Sequence, residues 1–505
     1  MHRGWKMYFF LSAGIGENLT GIEHAILKRK KVFDACGLAH KIVTLNYNPN
    51  YLNNLNIHLI DSVSFLNLYD DYQQLIFAPY RKNGLQDYLK GISGQMTIEE
   101  NRNTGDVRVY INDIYRFYIH FFNNGNISYI NFFDKNKIKF KRMLYTASGY
   151  LSKIIYLNQN AQRSAFYYDR HQQVVIEENY NDDNELSFIN LIEDGKEYFF
   201  QQQQAFIKHW FEKMLKSYKS AVFYSDKNKL YNEILVELKS SDFKLISVFH
   251  SVHVSNPKDT AKGRINSNYK TSLAALEKFD GYIVSTAQQK QDILARFGEH
   301  LKVWVIPPTF ATCVPKPAKT KQVKPFRVIS VGRYYVEKRL DHIIQAVELL
   351  KEKYSDIQLD LYGFGDARDN FTYEKKLRQY VEDQQLQQTV HFRGYVQDIE
   401  DKIRDADVSV VTSTLEGFCI GILDSLNVGT PVVAYDIKYG PSAMIEHDRS
   451  GMLVQEGDIA ALAAAIEKCF LTPEMRVHAM HSATHYAMDA YTKKWMNHLL
   501  ELSHV

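Results

Sequence analysis

Cysteine is scarce and scattered in this sequence of 505 residues: Cys36, Cys313, Cys419 and Cys469 stand far apart, with no CxxC pair. The spacing excludes a disulfide framework and suits a reducing compartment. Proline (11) and glycine (25) are few as well, so the chain is poor in loops. No run of about 18 apolar residues occurs, which excludes a spanning helix and leaves only peripheral membrane contact. Charge of one sign is also lacking. Lys+Arg 61 against Asp+Glu 58 gives +3, so total charge provides no preference for nucleic acid or anionic lipid. The apolar stretch from Met7 is too short for a secretory signal and leads into a glycine loop, so it reads as a first strand.

What the chain has in excess is flat side chains: Tyr 34, Phe 29 and Trp 4, of which 24 fall within residues 106–211. Hydrophobic content of 45% with 24% charged residues is that of a globular protein, and the length suits three lobes. Met7 to Ala13, Gly14, Gly16 and Gly21, a helical pattern from Ile22 to Phe33 and an apolar run from Lys41 to Leu45 open an α/β unit. From about Val107 to Phe200 the texture changes to short aromatic and β-branched runs at intervals of roughly 10 residues. Asn124-Gly125-Asn126 and Asp134-Lys135-Asn136 separate such runs, which predicts an antiparallel meander. Ser128 to Asp134 and Arg163 to Asp169 resemble each other as a faint repeat.

Alternating α/β order returns after a bridging helix (Gln201 to Tyr218). The expected domains are 1–60 with 201–310, a first Rossmann-like domain; 61–200, an inserted lobe that is an aromatic meander from about 106; 311–325, a linker; 326–490, a second Rossmann-like domain; and 491–505, a helix returning to the first domain. Two such domains place a ligand cleft at the carboxyl ends of their strands.

Two segments of the second domain carry chemistry. Gly332 to Arg339 runs from a strand into a helix and puts Arg333 and Lys338 in one loop, where two fixed cations suit a diphosphate leaving group. A solvated basic turn would look the same in isolation. Thr414 to Asp424 likewise runs from a strand through Gly417, Phe418, Cys419, Ile420 and Gly421 into a helix. It offers free backbone N–H groups to an anion, with Glu416 and Asp424 placed for hydroxyl groups. Capping is the alternative for those two acids. His250 and His253 end a strand; no third ligand stands nearby, so a metal is not expected. Asp70-Asp71 and Asp182-Asp183 read as turn residues rather than a metal-binding pair.

Taken together, these motifs resemble a GT-B retaining glycosyltransferase of glycosyltransferase family 4, whose signature is Arg, four residues, Lys, then Glu-x7-Glu. Asp424 stands where that pattern has Glu. The resemblance implies an α/β GT-B fold, two Rossmann-like domains facing a cleft, with the β-meander lobe inserted in the first. It implies catalytic roles for Arg333, Lys338, Glu416, His250 and His253. Donor contacts would come from Gly16, Gly21, Gly363, Gly365, Arg393, Gly394, Tyr395, Gly417, Phe418, Cys419, Ile420, Gly421 and Asp424. No metal and no cofactor are expected beyond UDP-glucose or UDP-N-acetylglucosamine as donor substrate.

Within the family, the aromatic lobe and the run Ala434 to Ser442 are similar to enzymes that decorate poly(glycerol phosphate) or poly(ribitol phosphate) teichoic acid. The run Gly21 to Ala25 is closer to enzymes that modify Ser/Thr of serine-rich adhesins. The resemblance implies a cytoplasmic protein, at the inner face of the membrane, that binds a nucleotide sugar and a polymer or protein acceptor and no nucleic acid. It would self-associate or pair with a similar glycosyltransferase through the lobe. A non-catalytic partner subunit is the alternative to an enzyme. The aromatic excess is then assigned to acceptor or partner binding.

Overall fold

The computed structural model describes residues 7–312 and 325–503, so most of the expected linker lies outside the described residues. Within them the chain divides into two compact units, one of residues 7–23 and 37–245, the other of residues 24–36 and 246–503.

In the first unit, strand Met7–Ser12 pairs in parallel with His40–Thr44 on one side and Ala221–Ser225 on the other, and Phe65–Asn67 extends the set. Tyr8, Phe9, Phe10 and Leu11 are all buried, which is why this strand reads as an unbroken apolar run rather than an alternating one. The following helix, Gly21–Ala35, starts one residue before the apolar pattern does. Thr20 and Glu23 form its capping box: the Thr20 N–H donates to Glu23 Oε2 at 3.0 Å, and Lys227 lies 3.2 Å from the other carboxylate oxygen.

The same unit holds a ten-stranded antiparallel sheet whose strands follow one another in chain order, from Met96–Glu100 to Lys196–Phe200. It begins ten residues before the aromatic-rich stretch. Met96–Glu100 is exposed along its whole length, is short and has no aromatic residue to announce it. The faint repeat is explained by turn chemistry. Asp134 Oδ1 accepts from the Asn136 and Ile138 N–H groups at 2.9 and 2.8 Å, and Asp169 Oδ1 accepts from those of His171 and Gln173 at 2.9 and 2.8 Å. Both similar runs therefore end on an aspartate that closes a hairpin.

The second unit contains a six-stranded parallel sheet. In chain order its strands are Arg327–Val331, Gln358–Tyr362, Val390–Gly394, Val408–Val411, Val432–Tyr435 and Gly451–Val454, and in space they stand third, second, first, fourth, fifth, sixth. The order reverses between Arg327–Val331 and Val408–Val411, which are paired, so the crevice at the strands' carboxyl ends opens between the loops after these two. Helix Leu340–Lys351 covers one face with Leu340, Ile343, Ile344, Val347 and Leu350, the spacing of one helical stripe. The unit also holds the parallel strands Gly281–Val284 and Val303–Val305. The last helix, Met488–Ser503, packs Trp495 on Phe33 and Arg29, and its Glu501 accepts from Trp304 Nε1 at 2.6 Å. No helix among the described residues is long and apolar enough to cross a membrane.

Replacing Asp169 by Ala removes two side-chain to backbone hydrogen bonds from one hairpin. The expected cost is on the order of 1–2 kcal/mol, read as a lowered denaturant midpoint with an unchanged m-value.

Candidate active site

Backbone hydrogen bonds sew together the loops that leave the six-stranded sheet. The Gly332 N–H donates to the Tyr362 carbonyl, Tyr334 to Phe364 and Gly363 to Gly394, each at 2.9 Å. Gly363 has φ +146°, and a Cβ there would lie 1.8 Å from the Gly332 carbonyl oxygen, so this approach requires glycine. Across the switch point the Thr414 N–H donates to the Glu337 carbonyl at 2.8 Å. Thr412 Oγ1 donates to the carbonyls of Lys338 and Arg339 at 2.8 and 2.9 Å. Backbone bonds and the Thr412 hydroxyl thus hold the two loops in register.

Lys338 and Glu416, 78 residues apart, then meet with Nζ 2.5 Å from Oε1. Burial acts against the Lys338 ammonium, but Glu416, with Glu337 close by, outweighs it and raises the lysine pKa above its ordinary value. Arg333 is exposed. Its guanidinium lies 4.3 Å above the Tyr335 ring and donates to the Tyr335 hydroxyl at 3.0 Å, and it pairs with no carboxylate among the described residues.

Gly417 abuts the end of a neighbouring strand: a Cβ there would come within 2.3 Å of the His250 carbonyl oxygen. The N–H groups of His250 and Ser251 both donate to Tyr269 Oη, at 3.0 and 2.9 Å, which fixes this corner beside the Glu416 loop. Cys419, at φ +70°, starts helix Ile420–Asn427, and burial pushes its thiol pKa up, which keeps it protonated. Phe418 is buried against Tyr486.

Asp424 sits on this helix, and burial pushes its pKa up to about 7; Glu400 adds to the rise and Lys28 opposes it. Lys28 in turn is lowered by burial and by Lys31, with Asp424 and Glu400 acting in the other direction. Lys28 belongs to the site electrostatically, yet no motif marks it in the sequence.

Other expected residues lie elsewhere. The structure does not bring His253 to this cluster. It is fully buried, its Nε2 lies 3.3 Å from the Thr260 carbonyl oxygen, and its ring faces Tyr439 at 6.5 Å. Burial lowers its pKa, so the ring is held neutral. Arg393 is committed to Asp360 on the next strand at 2.6 Å. Gly394 and Gly365 are at strand ends beside it, and Tyr395 pairs with Phe364, both nearly half exposed with ring centroids 6.2 Å apart. In the first unit, Gly16 has room: a Cβ there would meet nothing closer than the Asn18 carbonyl oxygen at 3.4 Å. Gly21 is the first residue of its helix. Asp70 and Asp71 are not turn residues but lie in the first turn of helix Leu68–Gln73. Asp70 Oδ1 accepts from the Leu75 and Ile76 N–H groups at 2.9 and 3.0 Å, and Asp71 accepts from Trp210 Nε1 at 2.9 Å. Asp182 and Asp183 do lie in a turn.

Sequence reasoning missed a brace behind the Glu416 loop. The Tyr439 N–H donates to the Glu416 carbonyl at 2.9 Å, and Gly440, at φ +100°, lies so close that a Cβ would come within 2.1 Å of the Phe418 carbonyl oxygen. Lys438 Nζ and Tyr439 Oη both reach Asp292 Oδ2, at 2.8 and 2.6 Å. Burial acts against the Asp292 carboxylate, but these partners hold its pKa below the ordinary value.

Cations, an acid and a helix start stand at the switch point of a parallel sheet, with an antiparallel meander elsewhere in the chain, and the fold is that of the GT-B class. Residues 315–485 match the family described as "Glycosyl transferases group 1". The chain is similar to the poly(glycerol-phosphate) alpha-glucosyltransferase of Bacillus subtilis, 23% identical over 98% of this chain and 75% of that one. It is equally similar to the GtfA subunit of the Streptococcus pneumoniae UDP-N-acetylglucosamine–peptide N-acetylglucosaminyltransferase, 24% identical over 98% and 99%. Among solved structures, a mutant of S. aureus TarM in complex with fondaparinux, alpha-GlcNAc-glycerol and UDP superposes with a TM-score of 0.81. It is 23% identical and covers 98% of this chain and 99% of its own.

Two outcomes follow from the geometry. Because the folded Asp424 pKa (about 7) lies above its ordinary 3.8, its contribution to stability is complete below pH 3.8 and is lost as pH rises through about 7. Asp424→Asn removes that loss, so the variant gains on the wild type by on the order of 1–2 kcal/mol between about pH 4 and 8, after discounting for solvent screening. Unfolding curves at several pH values check this, and parallel curves for the two proteins would refute it. Asp292→Asn should weaken the brace behind Glu416 and lower turnover about 10-fold, with a smaller change in overall unfolding midpoint.

Proposed function

We propose that the protein is a retaining α-glycosyltransferase that moves glucose or N-acetylglucosamine from a UDP-sugar to hydroxyl groups of a poly(glycerol phosphate) or poly(ribitol phosphate) teichoic acid. The observation that carries this reading is the Lys338–Glu416 pair at the switch point, with Arg333 unpaired by any carboxylate beside it. An ammonium has three donors, so Lys338 can keep Glu416 and still give N–H groups to a diphosphate. Arg333 would meet the same phosphates and take up charge as the glycosidic bond to UDP breaks. Backbone N–H groups from Gly417 to Gly421 would add to this at the helix start. Glu416 would accept from the donor-sugar hydroxyls, Asp424 from the ribose, and the exposed Phe364 and Tyr395 offer flat faces to the base.

His250, whose backbone touches Gly417, would be the histidine that faces the sugar. With no carboxylate assigned as nucleophile on the far side of the sugar, the departing phosphate itself would take the proton of the acceptor hydroxyl, and the new bond would form on the same face. Catalysis is then positioning and charge stabilisation. No metal ion enters the reaction. The reading places the protein in the cytoplasm at the inner face of the membrane, paired with a second copy or a similar chain through the lobe.

A second acceptor is supported by the pneumococcal relative, which matches over as much of the chain as the glucosyltransferase does: Ser/Thr hydroxyls of a serine-rich protein. The deciding experiment measures UDP release by the purified protein with UDP-glucose and UDP-N-acetylglucosamine, each with poly(glycerol phosphate), poly(ribitol phosphate) or a Ser-rich peptide. The polymer acceptors should stimulate release, and stimulation by peptide alone would assign the protein to adhesin glycosylation. Silence with every pair, in a folded sample, would favour a non-catalytic partner subunit. Lys338→Ala should lower turnover by about 10²–10³ while leaving the fold intact by circular dichroism. Wild-type turnover in that variant would end the assignment.

A further inference from the structure

Outside the transfer site, three side chains with metal-ligating atoms converge from two elements. His481 and His485 lie four residues apart on one face of helix Met475–Thr484 and its C-cap, and Glu446 reaches them from the segment after helix Pro441–Met444. One ligand atom from each lies within 4.8 Å of the others. Both imidazoles are exposed, and neither ring makes a hydrogen bond among the described residues. The carboxylate, by contrast, is already aimed. Ser482 Oγ donates to Glu446 Oε1 at 3.1 Å, Arg449 Nη1 to Oε2 at 2.8 Å, and the Glu446 N–H donates to Ser450 Oγ at 2.9 Å.

We propose that Glu446, His481 and His485 form a binding site for a divalent transition-metal ion of the zinc class. Two imidazoles and one carboxylate are a donor set that suits zinc and nickel and is too nitrogen-rich for magnesium or calcium. Metal–ligand bonds of about 2.0–2.2 Å require ligand atoms roughly 3.5 Å apart, and the two exposed rings, which meet edge-on with centroids 5.8 Å apart, can rotate to close that distance. Each carboxylate oxygen has a second lone pair, so Ser482 and Arg449 can remain as outer partners that orient Glu446.

The site has a structural consequence. Tyr486, the residue after His485, donates its hydroxyl hydrogen to the Ala443 carbonyl at 2.8 Å and packs its ring on Phe418 of the donor loop. A cation bound to Glu446 and His485 would tie together the two segments that Tyr486 already bridges, and so would stiffen the support of Phe418. It takes no part in the transfer chemistry, and the inference does not depend on which sugar or acceptor is used.

Titration calorimetry of the metal-free full-length protein with ZnCl2 near pH 7.5 tests it, with a thermal unfolding scan alongside. One equivalent should bind in the micromolar range and raise the unfolding midpoint. His481→Ala and His485→Ala, both exposed changes that leave the fold intact, should each weaken binding at least about 10-fold and abolish the thermal shift. His478→Ala, on the same helix but outside the trio, should bind as the wild type does. No binding up to about 1 mM, or equal binding in the His481 and His485 variants, or an equal loss in the His478 variant, would overturn the proposal.

Discussion

The contact between Lys338 and Glu416 is the interaction on which the rest of the site depends. It joins the loops after the first and fourth strands of a parallel sheet, the two strands between which the order reverses. A half-buried ion pair offers little stability on its own account, since desolvation of both charges offsets most of the attraction. Its consequence is positional. With the ammonium already held against the carboxylate, and with the Thr414 N–H and the Thr412 hydroxyl fixing the loops, a cation is kept in a set place. Removing Lys338 would leave Glu416 buried without its partner, and removing Glu416 would leave Lys338 in the same state. For that reason the pair reads as preorganisation, in which the cost of placing charge is met on folding and not at the moment of bond cleavage.

What holds the pair in place is mostly backbone. Gly363, Gly417 and Gly440 stand where a Cβ would collide with the carbonyl oxygens of Gly332, His250 and Phe418 respectively. Each therefore marks a point at which two segments approach more closely than side chains allow. Behind them, Asp292 collects Lys438 and Tyr439, and Tyr439 passes the constraint to Glu416 through its N–H. His253 belongs to this support. Its buried neutral ring lies nearly parallel to that of Tyr439.

How much of this was legible in the sequence depended on whether the signal was local. The second Rossmann-like domain was legible because its strands, buried on both faces, carry β-branched and apolar residues, as in Arg327–Val331. Arg333, Lys338, Glu416 and Asp424 were legible because loop residues flanked by strand and helix carry their spacing in the chain. The Asp292–Lys438 contact, across 146 residues, leaves no such trace. Nor could spacing tell His250 from His253; tertiary packing alone decides which ring is enclosed. Met96–Glu100 was missed because this edge strand is short, exposed and without the aromatic residues that mark its neighbours, and the Asp194-Gly195 turn that joins Leu186–Glu193 to Lys196–Phe200 was a usable signal left unread.

The aromatic excess acquires a different meaning once the lobe is seen. Part of it faces solvent, as with Phe140, Tyr156, Phe188 and Phe199, and is available to an acceptor or a partner. Part of it is the foundation of the sheet itself. The Glu178 carboxylate is buried and accepts hydroxyl groups from Tyr69, Tyr167 and Tyr180, at 2.9, 2.8 and 2.8 Å, with Lys153 at 3.7 Å. Lys153 also donates to the Tyr167 hydroxyl at 2.5 Å, and the rings of Tyr69 and Tyr167 stack at 4.9 Å. A buried carboxylate needs donors at every lone pair, and tyrosine supplies one while adding apolar surface of its own. Composition alone cannot separate these two uses. A tyrosine whose hydroxyl group satisfies Glu178 is spent on holding the sheet together, so it is the exposed rings that present flat faces to solvent.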